Sequence, residues 1–60
     1  MKKYLVILRD VKALDSFKTL MRFNNVDYEH LKNLQYHIYT DENTANKLNK
    51  FDWIAVIKTN

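Results

Sequence analysis

The chain has 60 residues, 47% of them apolar with Tyr counted, and ten Lys or Arg against seven acids, for a net charge of +3. It holds no Cys, Gly or Pro, which excludes disulfides, thiolate zinc sites and Gly-rich phosphate loops. A chain this short buries only about 60% of its unfolded surface, so apolar side chains must build the core unaided, with dimerisation or a partner as the further source of burial.

Met1-Lys2-Lys3 before an apolar run imitates the start of a signal peptide. The run Tyr4 to Leu8 is ended by Arg9 and Asp10, so it is too short for a leader core or a membrane span. The expectation is a single domain over residues 1–60, cytoplasmic, with no membrane contact. Tyr4-Leu5-Val6-Ile7-Leu8 reads as a central strand, apolar on both faces. From Val11 the period changes: Leu14, Phe17, Leu20, Met21 and Phe23 recur at three- and four-residue steps, the mark of an amphipathic helix. Asp10 or Asp15 can start it, and Asn24-Asn25 can stop it in left-handed conformation.

Val26, Tyr28 and His30 alternate with Asp27 and Glu29, as in a half-exposed edge strand whose charges oppose aggregation. Lys32-Asn33 marks a hairpin turn. Leu34, Tyr36 and Ile38 alternate with Gln35, His37 and Tyr39 in a third strand. Thr40 or Asp41 caps a second helix from Glu42 to Phe51, with Ala45, Leu48 and Phe51 as its apolar stripe. Asp52 breaks it. Trp53 to Ile57 is the last strand, and Lys58-Thr59-Asn60 is a polar tail.

The order β-α-β-β-α-β predicts an α+β, ferredoxin-like domain: a four-stranded antiparallel sheet, strands 1 and 3 central, both helices on one face. The other face stays open. It carries either Tyr4, Val6 and Leu8 or Leu5 and Ile7 from strand 1, and either Trp53, Ala55 and Ile57 or Ile54 and Val56 from strand 4. Either choice exposes apolar side chains, as at protein interfaces. The candidate partner-binding residues are Tyr4, Val6, Leu8, Tyr36, Trp53, Ile57, Lys58, Thr59 and Asn60. A homodimer through the same face is the alternative to a foreign partner.

Constellations for chemistry are absent from the pattern. His30 and His37 with Asp27 or Glu29 resemble part of a zinc set, but the spacing is that of ordinary strand histidines. Ser16 reads as a helix-start residue, not a nucleophile, and Asp41-Glu42 as a helix N-terminus, not a carboxylate pair. The expectation is a non-enzymatic domain with no metal and no cofactor. Tyr4, Tyr36 and Tyr39 test for base stacking on strands 1 and 3. Leu34-Gln35-Tyr36-His37-Ile38-Tyr39 lacks the basic residue and Gly of the RNA-binding pattern, so nucleic acid ranks third among partners.

Lys3-Tyr4-Leu5-Val6-Ile7-Leu8-Arg9, the Asn24-Asn25-Val26 stop, the helix from Glu42 to Phe51 and Asp52-Trp53-Ile54-Ala55-Val56-Ile57 together resemble the subtilisin propeptides and the small fungal inhibitors of subtilisin-like proteases. The chain departs from them in its missing Gly residues and in Ile57, Lys58 and Thr59, where acids are common. The resemblance implies an inhibitor that lays its open sheet face on a subtilisin-like serine protease. Its tail, Ile57 to Asn60, would enter the cleft as an extended strand, with Asn60 nearest the catalytic serine. The chief rival is a small phage or mobile-element protein that uses the same face to inhibit an unrelated host protein.

Overall fold

The computed structural model describes residues 1–58. Its elements are β1 (Lys2–Leu8), α1 (Ala13–Phe23), β2 (Asp27–His30), β3 (Gln35–Thr40), α2 (Glu42–Leu48) and β4 (Ile54–Lys58). The strands form one antiparallel sheet in the order β2-β3-β1-β4. This is the ferredoxin-like β-α-β-β-α-β arrangement, with β1 and β3 central.

Short side chains set the element boundaries. The Asp10 carboxylate accepts the Lys12 N–H at 2.9 Å, and the Asp10 carbonyl accepts the Ala13 N–H at 3.0 Å. These bonds turn the chain from β1 into α1. At the far end Asn25 adopts φ 55°. Its N–H donates to the Arg22 carbonyl, and the Val26 N–H donates to the Met21 carbonyl at 2.9 Å. That pair of bonds is a Schellman motif, and Val26 and Met21 meet in the core as such motifs favour. In the β2–β3 hairpin Asn33 takes φ 51°, and the Lys32 carbonyl accepts the Gln35 N–H at 2.9 Å. Without glycine, both left-handed positions fall to Asn, the residue whose side chain best tolerates them.

Asp41, not Thr40, caps α2: its carboxylate accepts the Thr44 N–H at 2.8 Å. Helix α2 is shorter than its sequence pattern implies. It ends at Leu48, and the Lys50 and Phe51 N–H groups donate to the Lys47 and Leu48 carbonyls in tighter turns. Phe51 therefore leaves the stripe and stays exposed. Phe23 leaves it too: the buried face of α1 is Ala13, Phe17 and Met21, and Phe23 is 87% exposed.

The core lies between the helices and one sheet face. Tyr4, Val6 and Leu8 of β1, Tyr36 and Ile38 of β3 and Ile54 of β4 meet Phe17, Met21, Ala45 and Leu48. Phe17 is fully buried, its ring 4.6 Å from Tyr36 and 5.6 Å, edge-on, from Tyr28. These aromatic contacts, each worth about 0.5–1.5 kcal/mol beyond area burial, fasten α1 over β2 and β3.

Two outcomes test the boundary residues. Asn25→Val should lower the free energy of unfolding by about 1–2 kcal/mol, because a β-branched side chain opposes positive φ, whereas Asn25→Gly should leave it equal or higher; urea denaturation checks both. For Asp41, the Thr44 N–H bond first, and then the Thr44 hydroxyl, hold the carboxyl below its ordinary value. A depressed carboxyl stabilises the fold above its ordinary pKa and loses that contribution as pH falls through the depressed one. Asp41→Ala should therefore be less stable than the parent near neutrality, and the gap should close as pH drops below about 4.

Candidate protein-interaction surface

The strand register decides which side chains the helices cover. Core residues Tyr36 and Ile38 stand opposite Val6 and Tyr4, and Val6 stands opposite Val56. Cross-strand neighbours share a face, so Tyr4, Val6, Leu8 and Tyr36 all lie beneath the helices. Their exposures are 4%, 0%, 2% and 3%. This corrects the sequence-based site: these four belong to the core and cannot meet a partner. Trp53 is not on the open face either. It sits just before β4, half-buried on the helix side, its ring 5.6 Å from Phe51. Lys58 is exposed beside Tyr4, Glu42 and Asn46, at the α2 side of β4. Among the seven of these nine candidates that are described, Ile57 alone stands on the open face, 47% exposed. Thr59 and Asn60 lie outside the described residues.

The open face is built from the alternate set. Its rows across the strands are Lys3–Tyr39–Asp27, Ile57–Leu5–His37–Glu29 and Ala55–Ile7–Gln35. It divides into an apolar half over β1 and β4 (Leu5, Ile7, Ala55 and Ile57) and a polar half over β2 and β3. His37 Nδ1 stands 3.9 Å from Glu29 Oε1 in the polar half. His30 lies on the opposite face, its ring 4.8 Å from Tyr36 and its Nε2 2.9 Å from the Asn33 carbonyl oxygen. The two histidines thus cannot share a ligand. Among the described residues no three His, Cys, Asp or Glu side chains gather as a metal set. Tyr39 is the one strand tyrosine of the three tested for stacking whose ring meets the open face.

One edge of the sheet is partly occupied by local hydrogen bonds. The Arg9 N–H donates to the Trp53 carbonyl at 3.1 Å, which sets the phase of the β1–β4 ladder. Ala55 and Ile57 turn their backbone groups to β1, and Ile54 and Val56 turn theirs outward. The outward N–H groups of these two are occupied: Val56 donates to Asn49 Oδ1 at 3.1 Å and Ile54 to the Phe51 carbonyl at 3.3 Å. An added strand on β4 would find those donors taken.

Among the described residues no helix is long and apolar enough to cross a membrane. Compared with known proteins, the chain matches no family model, no curated protein and no solved structure.

The signal for the open face stood in β3. Gln35 and His37 are the polar partners of its alternation, and propagating their face through an antiparallel register to Leu5, Ile7, Ala55 and Ile57 finds the surface. The burial of Tyr4 has its own consequence. Its hydroxyl is buried with no hydrogen-bond partner among the described residues, and such a group costs about 1–3 kcal/mol. Tyr4→Phe should therefore match or exceed the parent's stability by about 1 kcal/mol in urea denaturation, an outcome contrary to that expected of a surface-exposed contact residue.

Proposed function

We propose that this chain is a non-enzymatic protein-binding domain, acting as a serine-protease inhibitor of the subtilisin-propeptide type. The observation that carries the reading is the uncovered apolar half-face: among the described residues Leu5, Ile7, Ala55 and Ile57 lie together on one face of the sheet with no convergence of catalytic groups. A flat apolar face binds by excluding water over area, at about 25 cal/mol per Å², and needs no chemistry of its own.

Size bears on how it binds. Four strands about 4.8 Å apart and about 20 Å long give roughly 400 Å² of face. A standard interface takes about 800 Å² per partner. The face alone is too small, so a second contact must supply the rest. In the inhibitor reading that contact is the tail after Lys58. The occupied Ile54 and Val56 donors on the β4 edge fit the same mode, in which the tail, not the sheet edge, pairs with the protease. Lys58 stands where the inhibitor family carries acids, and this favours a second reading: a host protein of another kind bound through the same face without the tail.

Titration of subtilisin against a chromogenic peptide substrate separates these readings. The full chain should inhibit. Removal of Lys58 to Asn60 should abolish inhibition, and Ile57→Glu should weaken it about tenfold or more, roughly 1.4 kcal/mol, with the fold retained by circular dichroism. Absence of inhibition at high micromolar concentration would defeat the protease reading. Capture of a host partner that Ile57→Glu abolishes and tail removal leaves intact would establish the second.

A further inference from the structure

The helix side of the molecule carries a surface that the open-face reading does not use. Where α1, α2 and the approach to β4 meet, two adjoining hollows of about 440 and 430 Å³ share Leu20. Phe23 and Trp53 line the first, and Phe51 lines the second with Leu48. Phe23, at 87% exposure, is the most exposed aromatic among the described residues, and Phe51 is 41% exposed. Both fall on the apolar repeats of their sequences, yet neither reaches the core. Three aromatics round one groove supply the side chains that dominate binding energy at protein interfaces.

The charge around the groove is asymmetric. Lys47 and Lys50 line the α2 hollow, and no carboxylate does. Among the described residues neither lysine is within ion-pair distance of a carboxylate. Asp15 lines the other hollow, at the α1 end. We propose that this groove docks a peptide segment of a partner protein that carries a bulky apolar side chain with Asp or Glu beside it. The apolar side chain sits among Phe23, Leu20 and Trp53, and the carboxylates lie over Lys47 and Lys50. Opposed charge fixes the direction of the segment and rejects a basic one, because like charges brought together across an interface repel. The site does not depend on the open sheet face.

Trp53 is the chain's single tryptophan, so its fluorescence reports the groove directly. The probes are a short amphipathic peptide with Leu and Phe on one face and Glu on the flanks, and the same peptide with Lys in place of each Glu. The acidic peptide should give a saturable change in Trp53 emission, with an apparent affinity at least about tenfold above the basic one. Phe23→Ala should weaken it about fivefold, Lys47→Glu with Lys50→Glu should reverse the preference, and Ile57→Glu on the open face should leave it unchanged. Should the charge-reversed pair fail to fold, Lys47→Gln with Lys50→Gln serves, and should abolish the preference. Equal responses to the two peptides, no saturable response, or a loss with Ile57→Glu rather than Phe23→Ala would overturn the proposal. So would a stronger, salt-steep response to an oligothymidylate, which would assign the lysines to nucleic acid. Failure here leaves the protease titration untouched, since the groove and the open face are tested by different variants.

Discussion

Two short helices can cover one face of a four-stranded sheet, and the alternation of β3 decides which face that is. Tyr36 and Ile38 are the apolar members of β3, and Gln35 and His37 are the polar ones. Once Tyr36 and Ile38 turn inward, the register takes Val6 and Tyr4 with them, and Val56 after Val6; Leu8, on the same face of β1, brings Ile54. A slip of one residue would reverse every side chain at once. The helices then have one surface to meet: Phe17 and Met21 from α1, Ala45 and Leu48 from α2. The open face, its apolar half and its polar half all follow from this choice. In β1 and β4 both faces are apolar, so these strands accept either side; β3 alone carries the decision.

Much of the architecture was legible for a related reason. Strands and helices announced themselves by period, and the stops by Asp10, Asn25, Asn33 and Asp41, where a polar side chain or a positive φ is required. The site was less legible. Reading β1 by itself leaves its two apolar sets equivalent, so Tyr4, Val6 and Leu8 stand as surface candidates although they form the larger set. Their size is what suits them to the core, where volume must be filled. The ends of the helical stripes misled in the same way. Phe23 keeps the three-residue step from Leu20, but two residues past Met21 it falls on the side of α1 away from the sheet, and α2 has already tightened before Phe51. Period alone does not show where a helix stops touching the sheet.

These departures have one physical consequence in common. A 60-residue chain has little apolar surface to spare, because a small domain buries a smaller share of what it has. Here Phe23 and Phe51 stay at the surface while Tyr4 holds a hydroxyl in the core without a partner among the described residues. An arrangement tuned only for stability would place Phe where Tyr4 stands and polar residues at positions 23 and 51. The exposed aromatics lie beside a basic rim and against a half-buried Trp53, which is where binding draws on apolar side chains that folding leaves unused. Asn49 shows the opposite pressure. It closes α2 and spends its side-chain oxygen on the outward N–H of Val56, which protects the β4 edge from a chance strand. The β4 edge thus has two of its outward donors taken, while the sheet stays open across its face and the helical groove stays lined with aromatic side chains, so on these two surfaces a partner is met by side chains.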